Sequence, residues 1–221
     1  MADHDQPQPI TAIPDATTLN AWKRAAAQAA AADVPNGAVI GLGSGSTAEL
    51  IVPELAARMQ RGERFTGVPT SERTRSLAAG LDIPLATLDS VSELAVSIDG
   101  ADEVSFPALD LIKGRGGALL YEKLVAAASR YRIIIVDATK VVTALATRYP
   151  IPVEVIPFGF KHTAARLAAL GCVPTLRLAG GAPFVTDGGH YVLDCQFGPL
   201  LGGIGACWLY RYIARLPGVK R

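Results

Sequence analysis

Short apolar runs alternate with longer alanine-rich or amphipathic stretches along most of the chain. "GAVIGL", "RFTGVPTS", "IPLATL", "LAVSI" and "RIIIVDATK" are bounded by glycine, proline or charge and read as strands. Between them, "LNAWKRAAAQAAAADV", "AELIVPELAARMQ", "SERTRSLAAG" and "GALLYEKLVAAASR" read as helices, the second kinked at Pro53. Strands that alternate with helices predict a mostly parallel, Rossmann-like sheet with helices on both faces. The pattern changes near "TRYPIPVEVIPFG". A strand, the helix "KHTAARLAALG", the strand "VPTLRL" and a hairpin "PFVTDGGHYVLD", turning at Asp187-Gly188-Gly189, follow in order. This is the order of a small α+β, ferredoxin-like domain, followed by the helix "GIGACWLYRYIARL". The expected organisation is a flexible tail over 1–18, a larger α/β domain over 19–147 and a small domain over 148–212. Residues 213–221 are expected to return toward the first domain.

Composition narrows the class. Half of the 221 residues are hydrophobic and 19% are charged, enough apolar material for a sizeable core. A net charge of +1 gives no support for nucleic-acid or acidic-membrane binding. The three cysteines, Cys172, Cys195 and Cys207, form no CxxC pair and are odd in number, which argues against a disulfide framework or a zinc site and suits a reducing cytoplasm. The opening "MADHDQPQPITAIPDATT" is polar and carries three prolines, unlike an apolar signal segment. No apolar run reaches the length of a membrane span.

In open parallel sheets, ligands bind beyond the carboxyl ends of the strands. Four polar clusters fall at such ends: Ser44 to Thr47, Asp99 to Asp102, Lys113 to Gly117, and Asp137 to Lys140. "GLGSGST" departs from a dinucleotide fingerprint because the third glycine falls on Ser46, and the P-loop lysine is absent. A glycine turn with three hydroxyls suits a single phosphate, and equally a capped helix start. "KGRGGALLYEK" adds the cation Lys113 and a second glycine turn. Glu122 shares its helix face with Ala118 and Val125; on an apolar face its pKa rises, which suits a general base, whereas an exposed Glu122 beside Lys123 would be ordinary surface. His4, His162 and His190 are scattered, and none is expected to be catalytic. No metal-ligand spacing and no G-x-S-x-G elbow occur.

"GLGSGST", "SIDGADEV", "KGRGGALLYEK", "VDATK" and "PVEVIPFG", in this order, resemble ribose-5-phosphate isomerase of type A from about Trp22 to Val219. The resemblance implies interconversion of D-ribose 5-phosphate and D-ribulose 5-phosphate through an enediolate, with no metal and no cofactor, in a cytoplasmic homodimer. It implies Glu122 as the proton acceptor, Asp99 and Asp102 as the active-site aspartates, and Lys113 as the cation facing the enediolate. The substrate contacts it implies are Ser44, Gly45, Ser46 and Thr47 in the phosphate loop, Gly100 and Ala101 between the aspartates, Gly114, Arg115 and Gly116 after the lysine, and Lys140. Lys23 aligns with a lysine on the first helix that reaches the phosphate. Ser44 stands where threonine is frequent in the family, and Tyr121 where a polar or basic residue is usual. The family pattern continues past "PGV" into a further strand, whereas here Lys220 and Arg221 follow. Two other readings compete: a non-catalytic sugar-phosphate sensor, which needs no base, and a nucleotide-binding oxidoreductase, which the broken glycine fingerprint disfavours.

Overall fold

A computed structural model of the chain describes residues 7, 9–10, 12–200 and 204–220. Contacts divide it into two units that each draw on separate stretches of sequence: Ala12–Gly100 with Tyr121–Asp137, and Ala101–Leu120 with the residues from Ala138 onward.

The first unit is built on a four-stranded, wholly parallel sheet. β1 (Val39–Leu42), β2 (Thr66–Pro69), β3 (Leu94–Gly100) and β6 (Ser129–Ile135) lie in the order β2-β1-β3-β6. Successive side chains of a strand point to opposite faces, and β1 shows the consequence. Ile40 and Leu42 join a cluster with Ala27, Ala30 and Ala31 of α1 (Ala16–Ala32) and Ile51, Val52 and Leu55 of α2 (Ile51–Gln60). Val39 and Gly41 face the other way, where Val125 of α4 (Leu119–Ala127) packs. Helices therefore cover both faces. α3 (Glu72–Ala79) is capped by Ser71, whose side chain accepts from the Thr74 N–H.

Four expectations change here. α1 starts at Ala16, inside the stretch expected as tail, because Asp15 caps it by accepting from the Thr18 N–H at 2.8 Å. Much of the rest of that stretch lies outside the described residues. Pro53 produces no kink: the α-helix proper begins at Ile51 after a 3-10 turn over Ala48–Leu50, so the proline sits in the first turn, where its missing N–H costs little. "IPLATL" supplies only a single bridge, Gly67 to Leu85, in place of a strand. α4 ends at Ala127, and Ser129 and Arg130, expected in that helix, already belong to β6.

The second unit holds two three-stranded sheets and a short ribbon. β4 (Glu103–Ser105) pairs with β5 (Leu111–Ile112) and β7 (Val141–Val142). Ile112, Val142, Leu145 and Ala146 pack with Ile151 and Leu200, and this shared core draws 101–120 and 138–147 to the C-terminal residues. A single boundary near residue 148 therefore does not describe the chain. β8 (Ile151–Val155), β9 (Val173–Leu176) and β12 (Tyr191–Gln196) form an antiparallel sheet in the order β8-β12-β9. α5 (Phe160–Ala168) and α6 (Ile204–Arg215) bury Leu167, Leu209 and Ile213 with Val153, Val155 and Leu193 of that sheet. The turn at 187–189 forms, but its first arm adds only the bridge Val185 to Tyr191, and β10 (Leu178–Ala179) and β11 (Ala182–Pro183) make a separate ribbon. The segment expected to return toward the α/β part pairs with β8 instead: Val219 bridges Val155, and the Lys220 N–H donates to Glu154 O at 2.8 Å.

Candidate active site

Within the first unit, the predicted residues gather at the carboxyl end of the parallel sheet. Asp99 lies near the end of β3, 8% exposed. Its neighbour across the strands is Gly43, directly after β1, whose N–H donates to Ile98 O at 2.9 Å. The approach is so close that only glycine fits: a β-carbon at Gly43 would stand 2.5 Å from Ile98 O and 2.7 Å from the Asp99 Cα. The 44–47 loop begins at the next residue. Ser44 Oγ and Thr70 Oγ1 share a hydrogen bond of 2.6 Å, and Thr70 Oγ1 also donates to Leu42 O at 3.0 Å. Lys23 Nζ donates to Ser46 Oγ at 3.0 Å, so the lysine on α1 does reach this loop. Gly45, at φ +92°, gives its N–H to Glu49 Oε1 at 3.3 Å. Thr47 is buried and leads into the 3-10 turn, so the loop does not open straight into an α-helix.

Glu122 occupies the first turn of α4 and is 6% exposed, which rules out the ordinary-surface reading. α4 is the crossover between the parallel strands β3 and β6, so it runs back along the sheet and its first turn lies at the strands' carboxyl ends. Val125, one turn further along the same face, packs against Gly41 and clusters with Val68 and Leu94. That contact fixes the helix on the sheet and holds Glu122 inward.

Within the second unit, Asp102 precedes β4. Its backbone N–H donates to Ile112 O at 2.8 Å, and its Oδ2 accepts the backbone N–H of Arg115 at 2.9 Å. The 113–117 loop is bent by Gly114 and Gly117, both at positive φ (+99° and +85°). Side chains there would strike Leu119 and Phe184. Gly116 has open space around it. Lys113 is half-buried. The Arg115 side chain lies over the Tyr149 ring, 4.0 Å from its centroid, and the Arg115 carbonyl accepts from Arg177 Nη1 at 2.8 Å. Lys140 Nζ stands 5.6 Å from the centroid of the same ring. Arg115, Tyr149, Pro150, Arg177 and Asp194 line a cavity of about 220 Å³. Gly100 and Ala101 join Asp99 to Asp102 and are half-buried.

Several residues of these sets escaped the sequence reading. Thr70, Tyr149 and Arg177 carry no motif signal, and Gly43, the second glycine of "GLGSGST", was not singled out. Glu103, directly after Asp102 in "SIDGADEV", was not singled out either, and it proves to be wholly buried. Among the described residues, no group of three or more His, Cys, Asp and Glu side chains is placed to hold a metal ion. No helix among them is long and apolar enough to cross a membrane.

Comparison with known proteins points to one family. The family profile described as ribose 5-phosphate isomerase A (phosphoriboisomerase A) matches residues 66–220. Ribose-5-phosphate isomerase A of Synechococcus sp. (strain JA-3-3Ab) is 58% identical over 180 residues, 80% of this chain and 78% of the relative. The Gloeobacter violaceus protein of that name is 51% identical, over 91% of this chain and 86% of its own. Among solved structures, ribose 5-phosphate isomerase A from Methanocaldococcus jannaschii superposes with a TM-score of 0.85 at 37% identity, covering 90% of this chain and 88% of that one. A D-ribose-5-phosphate isomerase in complex with phospho-erythronic acid gives 0.86 at 36% identity, over 91% and 88%.

Proposed function

The chain belongs to the ribose 5-phosphate isomerase A family, and from that premise we propose that it interconverts D-ribose 5-phosphate and D-ribulose 5-phosphate through an enediolate. The observation that carries the reading is Glu122, a carboxylate buried at the sheet's carboxyl end, where a base is needed and a surface charge is not. A sugar-phosphate sensor has no use for such a group.

The chemistry assigns the work as follows. The furanose opens when a proton leaves the C1 hydroxyl and one reaches the ring oxygen, and Asp99 and Asp102 carry those hydroxyl protons. Glu122 takes the proton from C2, leaving negative charge on O1 of the enediolate, and returns it to C1. Lys113 faces that charge, while a proton moves between O2 and O1. Ser44, Gly45, Ser46 and Thr47, with Lys23, hold the phosphate. Gly100, Ala101, Gly114, Arg115, Gly116 and Lys140 complete the sugar contacts. No step calls on a metal or an organic cofactor. The proposed assembly is a homodimer in the cytoplasm; three free cysteines suit a reducing compartment.

The test is formation of ribulose 5-phosphate from ribose 5-phosphate, with and without EDTA. Turnover unaffected by chelator is expected. Absence of turnover, or loss to chelator that added metal restores, would refute the proposal or its metal-free route. Light scattering at assay concentration checks the dimer.

A further inference from the structure

We propose that Glu103 is a positioning residue that acts through Tyr149 to set two cations of the proposed site, Arg115 and Lys140. The inference rests on the isomerase reading, under which both are substrate contacts.

Asp102 and Glu103 are adjacent, and adjacent residues at a strand point to opposite sides. Each accepts the backbone of a different loop. Asp102 Oδ2 accepts the Arg115 N–H at 2.9 Å, while Glu103 turns into the core, 0% exposed. There its Oε2 accepts the Ala146 N–H at 2.6 Å, and its Oε1 accepts those of Arg148 at 2.7 Å and Tyr149 at 3.2 Å. Three backbone donors converging on one anion define the path of the 146–149 loop. The loop needs such a hold, because Ala146 has φ +58°, a region that disfavours any residue with a β-carbon. The two loops then meet through their side chains: the Arg115 guanidinium lies on the Tyr149 ring, and Lys140 approaches the same ring. The Arg148 guanidinium bonds the carbonyl of Thr139, tying the loop a second time to the turn that carries Lys140. The chain of contacts is closed, from Asp102 to Arg115, to Tyr149, to Glu103 and back along the backbone.

A glutamine at 103 keeps the shape but has a single acceptor oxygen, so at least one of the three N–H groups loses its partner. The expected result for Glu103→Gln is a KM for ribose 5-phosphate raised on the order of tenfold, the scale of two cation–ring contacts, with kcat changed less than about threefold. Tyr149→Leu gives the same split and Tyr149→Phe, which keeps the ring, restores the wild-type KM. The double variant Glu103→Gln/Tyr149→Leu is no worse than the more damaged single one, because both break one chain of contacts. In NMR spectra, ring-current shifts of the Arg115 and Lys140 methylenes are present in the wild type and lost in Glu103→Gln. Additive effects, or a lowered unfolding midpoint with KM unchanged, overturn the proposal by reducing Glu103 to a support of the fold. If Glu103→Gln does not fold, Tyr149→Leu and Tyr149→Phe carry the same KM prediction without touching the carboxylate. A wild-type chain with no turnover refutes the isomerase reading alone, and the ring-current shifts in the two proteins still decide the positioning.

Discussion

Replacing Gly43 by alanine probes the narrowest point of the α/β unit. The added methyl would lie 2.5 Å from Ile98 O and 2.7 Å from the Asp99 Cα, and closer still to the Asp99 carboxylate. Two of these three obstacles are backbone, so no rotamer change relieves them. The ends of β1 and β3 must separate, and the bond from the Gly43 N–H to Ile98 O, 2.9 Å long, stretches with them. Overpacking of this kind costs about 1–3 kcal/mol, and the hydrogen bond contributes about 1 more. A loss of roughly 2–4 kcal/mol follows, against a total stability of about 5–15 kcal/mol. At about 2–4 °C per kcal/mol for a chain of this size, the unfolding midpoint falls by roughly 5–15 °C. Activity falls further than stability, because Asp99 is pushed aside; misplacement by about 1 Å costs on the order of 10²-fold in rate. Scanning calorimetry and steady-state isomerase kinetics on the folded variant measure the two effects. Gly205→Ala is the control: nothing lies within 4 Å of its added methyl, it is helical, and it should gain about 0.5–1 kcal/mol. A Gly43→Ala protein with an unchanged midpoint and unchanged kcat would show that the close approach of β1 and β3 has no part in placing Asp99.

Glu122→Gln keeps the shape of the buried side chain and removes its basicity, so kcat should fall about 10²–10⁴-fold with KM little changed; retention of half the activity would exclude Glu122 as the base. Lys113→Ala should harm both kcat and KM, since one charge meets the substrate before and during enediolate formation. A change confined to KM would limit it to ground-state binding. Burial pushes the Cys195 and Cys172 thiols up, whereas Cys207 is exposed. A disulfide reagent at pH 8 should therefore titrate one thiol rapidly in the native protein and three after denaturation. Rapid reaction of two or more in the native state contradicts the packing around β12.

Long strands and motif residues were legible in the sequence because they are dense in local signal. "LAVSI" alternates little and is buried on both faces, as β3 proves to be. The apolar positions around Glu122 suggested an inward carboxylate but left an exposed one equally open, and the side chain proves to be buried. What escaped depends on distant partners. β4, β5 and β7 are two or three residues long, too short for any period to appear, and form a sheet only by pairing 103–105 with 111–112 and 141–142. The donors to Glu103 lie more than forty residues away, so its burial was invisible from "DGADEV" alone. Asp15 and Pro53 carried legible helix-start chemistry, but the polar surroundings of the first and the apolar run around the second masked it.

The interleaving of the two units has a consequence for how the chain is made. A ribosome delivers Ala101–Leu120 before β6, although that segment belongs with partners encoded after residue 138. β6, the edge strand that completes the parallel sheet, emerges only once this foreign segment has already left the tunnel. Neither unit can then finish folding as an early product of synthesis. Ile112 of β5 must wait, without Val142, Ile151 or Leu200 to cover it, until the chain is nearly complete. A nascent chain that has emerged from the tunnel to about residue 137 presents Ile112 to chaperones, and one that has emerged past 200 no longer does.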